Sequence, residues 1–406
     1  MSLNRFPQIR ICGDGKMQKT FDEIVLFART GLNPRQNFKL GQGNNKYITI
    51  KNIKNNTLFI DDNTDVIDDD AIKMIHKRSQ IKKGDILFAS IGRMGDMYII
   101  ESEPKGWDIN ESVFAFTLDT SIIRQKYFYY LFRVKSILNY LDSNSSGSTF
   151  KSIKMNQLKK MVFDIPSLDE QDTIINVLDR ISCVIELKKQ ELDKLDELVK
   201  ARFVEMFGDA ENGESKYPIE ILGNLSTKIS DGVHAKPEYT EIGRPFLSVV
   251  NINQKKIDFT DCKFVSEEAY QKMIKSTKPE KGDVLYTKVG ATYGIPAYVD
   301  TDTEFCLYVS VCLIKPMHEK INSRFLAIQM DTPFVKHQAD KRIKGIGVPD
   351  LHLNQIREFQ IICPPREMQD EFVHFVEQLD KSKVAVKKSL DEAQLLFDSL
   401  MQKYFG

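Results

Sequence analysis

Lys83-Gly84-Asp85-Ile86-Leu87-Phe88 returns later in the chain as Lys281-Gly282-Asp283-Val284-Leu285-Tyr286, an offset of 198 residues. The same offset carries Asn156-Gln157-Leu158 onto Asn354-Gln355-Ile356, Pro166 onto Pro364, Gln171 onto Gln369, and Phe207-Gly208 onto Phe405-Gly406. Self-similarity at a fixed spacing marks a repeated architecture and settles the organisation before any single element is assigned. The 406 residues are therefore two copies of one unit. That agrees with a length too great for one ordinary core, for which two domains plus connectors are expected.

Each copy has two parts of different character. The first parts, residues 1–165 and 210–363, hold short β-like runs such as Tyr47-Ile48-Thr49-Ile50 and Phe246-Leu247-Ser248-Val249-Val250, separated by Gly, Asn and Asp turns. They read as globular α+β domains. The second parts, 166–209 and 364–406, each contain a long stretch without proline or glycine, at 167–207 and 366–405, whose apolar residues recur at helical spacing. Each reads as one long helix. The first starts at Ser167-x-x-Glu170, a capping box, and stops at Gly208.

Steps of alternating four and three residues run along the first helix through Ile174, Leu178, Ile181, Ile185, Lys188, Leu192, Leu195, Val199, Arg202 and Met206. The offset gives Phe372, Val376, Leu379, Lys383, Val386, Leu390, Ala393, Phe397, Leu400 and Tyr404 on the second. A seam of this period over four heptads is a coiled-coil signal, and neither helix buries it alone. An antiparallel pair is expected, in which Lys188, Arg202 and Lys383 fall at different steps and need not meet. The alternative is two amphipathic helices on separate domains. At about 1.5 Å per residue the seam from Ile174 to Met206 spans roughly 50 Å.

Composition narrows the function classes. A hydrophobic fraction of 42% with 28% charged residues is that of a globular protein, and no run approaches the roughly 18 apolar residues of a membrane span. The N-terminal Met1-Ser2-Leu3-Asn4-Arg5-Phe6 lacks a secretory apolar stretch, so a cytoplasmic location is expected. Cys12, Cys183, Cys262, Cys306, Cys312 and Cys363 form no C-x-x-C pair and read as buried apolar residues. Basic and acidic residues both number 57. Their distribution is uneven: 167–209 holds 11 acidic against 6 basic residues and 366–406 holds 8 against 6, which leaves the helices at −7 and the globular parts at +7. That excess is compatible with phosphate contact.

No catalytic constellation emerges. Gly13-x-Gly15, Gly41-x-Gly43 and Gly345-x-Gly347 lack the third glycine of a dinucleotide or methyl-donor loop, and no Walker A sequence is present. Pro349-Asp350 resembles the start of a nuclease motif, but Glu358 is followed by Phe359-Gln360 and the repeat counterpart is Lys151-Ser152. The double proline in Cys363-Pro364-Pro365-Arg366 suits a helix entrance. His76, His318, His337, His352 and His374 show no ligand spacing; His234, in the polar loop Asp231–Pro237, is the exception worth following. The run Asp61, Asp62, Asp65, Asp68, Asp69, Asp70 fits no calcium loop and reads as a solvated turn. No cofactor and no metal are expected.

Duplicated domains each ending in a long helix, with Lys-Gly-Asp-hydrophobic strands, an Asn-Gln-hydrophobic step and a Pro-x-x-x-x-Gln helix entrance, resemble the specificity subunits of type I restriction-modification enzymes. The order of these short motifs and their duplication carry the resemblance, which covers essentially the whole chain. It implies two target-recognition domains, spacer helices that hold two methyltransferase (modification) subunits, and a separate restriction and translocase subunit. It further implies a non-catalytic chain that binds double-stranded DNA at a bipartite, asymmetric site. The competing readings are a standalone DNA-binding or scaffold protein, and an enzyme with cryptic nuclease or methyltransferase activity.

Base edges are read by Arg, Lys, Asn, Gln, Ser and Thr on loops, and phosphates by Lys, Arg and backbone amides. On that basis the polar loops nominate Asn33, Arg35, Lys51, Arg93, Ser148, Thr149 and Lys151 in the first domain. The second contributes His234, Lys236, Tyr239, Asn251, Lys288, Thr292, Tyr293, Arg342 and Lys344. The Gly84-Asp85 and Gly282-Asp283 pairs read as turn chemistry instead.

Overall fold

Gly84 and Gly282 take φ of +86° and +95°, the left-handed region that glycine enters without steric cost. Each turns the chain into a fully buried strand, Ile86–Ala89 or Val284–Thr287, and the aspartate beside each glycine holds the turn. The Asp85 carboxylate accepts from Lys82 N at 3.1 Å and the Asp283 carboxylate from Glu280 N at 2.7 Å. Both carboxylates are buried and need a cation, and the two copies supply it differently. Asp85 pairs with Arg29 at 2.8 Å and accepts from Thr117 Oγ1, whereas Asp283 pairs with Lys315, the repeat counterpart of Thr117, at 2.7 Å. Burial pushes the Asp283 carboxyl up, with the Lys315 hydrogen bond opposing it.

These strands sit at the centre of a repeated frame. The computed structural model describes residues 16–406 except 55–56, 148–149, 254 and 344–347. In the first copy β1 (Val25–Thr30), β2 (Ile86–Ala89), β3 (Met97–Ile99) and β4 (Val113–Leu118) form an antiparallel sheet of order β1-β4-β2-β3. After the first long helix, α1 (Leu168–Phe207), the second copy gives β5 (Ser226–Asp231), β6 (Val284–Thr287), β7 (Pro296–Tyr298) and β8 (Val311–Pro316), in the order β5-β8-β6-β7. A three-stranded sheet accompanies each, with a parallel central pair: Asn45–Ile48 beside Trp107–Ile109, and Arg244–Leu247 beside Cys306–Leu307. A two-stranded pairing closes each globular part, Met17–Thr20 with Val162–Ile165 and Ile219–Ile221 with Gln360–Ile362. The second long helix, α2 (Arg366–Phe405), follows.

Glu170 N donates to Ser167 Oγ at 3.3 Å where α1 begins. Gly208 ends it at φ +86°, and a Cβ there would lie 2.0 Å from Glu214 O, so no other residue fits the turn into the following hairpin. Two compact units result: the described residues to Lys189 together with Lys388–Gly406, and Gln190–Lys387. Compactness thus draws its line through the middle of both long helices, whereas the sequence division runs along the junction of globular and helical parts. The physical reason is that each helix end is core for the globular part beside it.

In the first unit Ile174, Leu178, Ile185 and Phe397 are buried with Phe88, Phe116 and Phe128, and Ile181, Leu390 and Leu400 pack at their edge. In the second, Phe372 and Val376 are buried with Phe203, Phe207 and Phe325, Val386 is buried, and Leu192, Leu195, Val199 and Leu379 are half-buried. Within this second unit the helices run antiparallel. Arg202 meets Glu371 at 3.1 Å and Asp196 meets Lys383 at 2.7 Å, so numbering falls on α1 as it rises on α2. Arg202 and Lys383, the polar interruptions of the seam, are each answered by a carboxylate.

One cysteine assignment is corrected. Cys183 is exposed on α1, because it lies off the seam between Ile181 and Ile185; Cys306 and Cys312 are buried, while Cys262 and Cys363 are half-buried. Burial pushes the Cys306 thiol up to about 12. Cys12 lies outside the described residues. No described helix is long and apolar enough to cross a membrane.

Candidate nucleic-acid interface

The repeated glutamines explain how each globular part is held to its helix. Gln171 is fully buried; its Oε1 accepts from Arg124 N at 2.9 Å and its Nε2 donates to Ile122 O and Pro166 O, both at 2.9 Å. Gln369 repeats all three bonds 198 residues later, accepting from Asn322 N at 2.7 Å and donating to Lys320 O at 3.1 Å and Pro364 O at 2.8 Å. Buried amides satisfied this completely fix geometry, since each broken bond leaves a buried backbone group unpaired.

A second glutamine in each copy closes the base of a loop. Gln157 Oε1 accepts from Lys154 N at 2.7 Å while its Nε2 donates to Asn144 O. Gln355 accepts from His352 N at 2.8 Å and donates to Arg342 O at 2.9 Å. The loops so pinched, 145–153 and 343–351, then meet the hairpin that follows the Gly-Asp strand. Gly92 N donates to Lys151 O at 3.0 Å, and Gly290 N to Pro349 O at 2.9 Å. On the other flank of the first hairpin stands the short turn Ile50–Asn52; Arg93 donates to Ile53 O at 2.9 Å. Lys51, Arg93 and Lys151 are exposed and belong to three segments that touch one another. Arg93 is paired with Asp96 at 3.2 Å and Lys151 with Asp142 at 2.5 Å. Asn33 and exposed Arg35 occupy a separate turn, closed by Asn37 Nδ2 donating to Asn33 O at 2.9 Å.

The matching place in the second copy is built with charge. Lys288, buried, lies 3.6 Å from Asp231 and 3.4 Å from Asp350. His234 stands 3.6 Å from the same Asp231 with its ring exposed. The positions of Asp231, Lys288 and Asp350 correspond to Thr30, Ser90 and Ser152 in the first copy, by sheet register for the first and by the 198-residue offset for the others. An ionic brace in one copy therefore replaces neutral side chains in the other.

Several nominated side chains prove to be framework. Asn251 is buried, with its Oδ1 accepting from Ser248 N at 3.0 Å and its Nδ2 donating to Asp258 O at 3.3 Å, so it caps its own turn and has no donor left for a base. Lys288 is likewise spent on its two aspartates. Tyr293 donates to Asp340 at 2.6 Å, a bond that pushes its phenol up, and its ring lies 3.5 Å from Lys336 Nζ. Arg342 donates to Gln338 O at 2.9 Å and lies over the Phe359 ring. Exposed Lys236 and Thr292 remain on the loops, and Tyr239 lies beneath Lys236 and Lys263. Ser148, Thr149 and Lys344 lie outside the described residues. The sequence reading passed over Phe150, Val250 and Val348, all exposed apolar residues on these segments. Hydrophobicity alone assigns such residues to a core. Among the described residues no group of three His, Cys, Asp or Glu side chains is placed to hold a metal ion.

The sequence profile of the type I restriction modification DNA specificity domain matches residues 14–197 and 233–394. The chain belongs to this family. Type I specificity proteins of known sequence align along most of it. The MjaIX specificity subunit of Methanocaldococcus jannaschii is 25% identical over 68% of this chain and 67% of its own length. The EcoBI specificity subunit of Escherichia coli is 22% identical over 72% of this chain and 67% of its own. The S subunit of a type I system from M. genitalium has the same fold, with a TM-score of 0.56 at 17% identity and 99% of both chains covered. A chain from a structural study of complex assembly in a type I system matches at a TM-score of 0.57 and 16% identity, over 97% of this chain and 98% of that one. The elements that type I specificity proteins share with this chain are its frame; the loops above carry what is its own.

Proposed function

We propose that the chain reads a bipartite, asymmetric sequence in double-stranded DNA for a type I restriction-modification complex and performs no catalytic step itself. The observation that supports this is a pair of matched frames carrying unmatched loops. Readers related by symmetry with identical loops suit a palindrome. Thr30, Ser90 and Ser152 present different chemistry from Asp231, Lys288 and Asp350 at the same three places, so the half-sites differ. The recognition domains are residues 1–165 and 210–363, and the spacers 166–209 and 364–406. Lys51, Arg93 and Lys151, with Asn33 and Arg35, are the candidate contacts for one half-site; His234, Lys236, Tyr239 and Thr292 are those for the other.

Partners in this reading are two methyltransferase subunits and the restriction and translocase subunits, in the cytoplasm where chromosomal DNA is accessible. Co-expression with the modification subunit, followed by purification and methylome sequencing of the host, tests it. One chain with two modification subunits and a single two-part methylated motif are expected. A chain that stays alone when mixed with the modification subunit, or a methylome without a bipartite motif, overturns the proposal. The isolated chain is expected to bind no methyl donor.

A further inference from the structure

Two apolar side chains stand in water where the framework is otherwise closed. Phe150 and Val348 are each 72% exposed, and the 198-residue offset places one on the other. Neither sits on a loose tail. Ser146 and Ser152 bridge with both backbone bonds at 2.9 Å, so Phe150 lies within a short hairpin whose base Gln157 closes. Val348 directly precedes Pro349, which Gly290 N holds at 2.9 Å, and Gln355 closes the base of that loop. A large apolar side chain fixed in water forgoes roughly 1.5–3 kcal/mol of burial, which a ligand recovers on contact.

Charge and duplication identify the ligand. Around Phe150 the exposed cations are Lys51, Arg93 and Lys151, the complement of a phosphate backbone. A protein partner binding both copies alike would meet the same residue in each, and here the pair is Phe in one copy and Val in the other. Readout of two different half-sites requires that kind of difference. The apolar group that the major groove offers is the thymine methyl.

We infer that Phe150 and Val348 are specificity residues, each reading its half-site through apolar contact with a thymine methyl. The inference rests on the DNA-reading function proposed above. It is tested on the complete complex with its modification subunits, using duplexes carrying the motif found by methylome sequencing of the wild type. Phe150→Ala is expected to relax one position of one half-site, and Val348→Ala one position of the other. Each lowers the preference for cognate over scrambled duplex about tenfold, the usual cost of one mismatched pair. Binding to scrambled duplex and its salt dependence stay unchanged, and Phe150→Leu restores most of the preference. Replacing thymines one at a time by uracil reproduces the loss at a single position in each half-site, without adding to the loss from alanine. Unchanged specificity in both alanine variants, equal weakening on every duplex, or no thymine with this behaviour overturns the inference while the DNA-reading function stands. A wild-type complex that discriminates no duplex overturns both.

Discussion

Asp85 and Asp283 occupy equivalent buried positions, yet one draws its cation from β1 and the other from the neighbouring β8. A buried carboxylate tolerates either source and does not tolerate none, because an unpaired buried charge costs about 3 kcal/mol or more. Arg29→Ser is therefore expected to destabilise the first unit by about 3 kcal/mol, and adding Thr117→Lys, the arrangement of the second copy, to recover most of it; thermal unfolding of the single and double variants decides. Glu23 behaves in the opposite sense to a buried acid. Hydrogen bonds from the Thr20 backbone and hydroxyl, with Lys19 beside it, lower its carboxyl from 4.5 to about 2. A lowered folded value means its contribution is complete above about 4.5 and fades as pH falls toward 2. A proton titration of this side chain by NMR should show that midpoint, and Glu23→Gln should flatten the matching part of the stability profile. The glutamines were visible in the sequence as a repeated spacing. Their six buried hydrogen bonds were not, since the partners lie on loops some 47 to 49 residues distant.

Helices α1 and α2 were legible because a heptad pattern without proline or glycine admits few other structures. What the pattern left open is where the helices are anchored. In the second unit Phe203, Phe207, Phe325 and Phe372 form one aromatic cluster, with ring centroids 5.4 to 5.5 Å apart between Phe372 and the two α1 phenylalanines. Phe372→Ala is expected to cost about 3–5 kcal/mol by cavity formation. Lys383→Ala removes a partly exposed ion pair with Asp196 and should cost less than about 1 kcal/mol. Denaturant midpoints of the two variants test that ordering. The loop nominations fared unevenly for a related reason. Asn251 and Lys288 are polar residues of turn-rich segments, as exposed loop residues are, but capping and pairing absorb them, and composition does not distinguish a spent donor from a free one.

For the whole molecule, duplication makes two predictions that separate frame from reader. Exchanging residues 210–363 for another recognition domain should change one half-site of the methylated motif and leave the other intact. Inserting one heptad into both long helices adds about 10 Å of helix, equivalent to roughly three base pairs, and should lengthen the unread spacer with both half-sites preserved. Altered half-sites in the second experiment would refute the spacer role, and methylome sequencing reads either outcome. The sequence by itself determined the copy number, the α+β character and the two helices, because a 198-residue offset and a heptad period are written in residue order alone. Only the tertiary structure decided which polar side chains are consumed internally, which cation answers each buried aspartate, and that Phe150 and Val348 face water. Those outcomes depend on partners distant in the chain, and burial is a property of the neighbours a residue acquires, not of the residue.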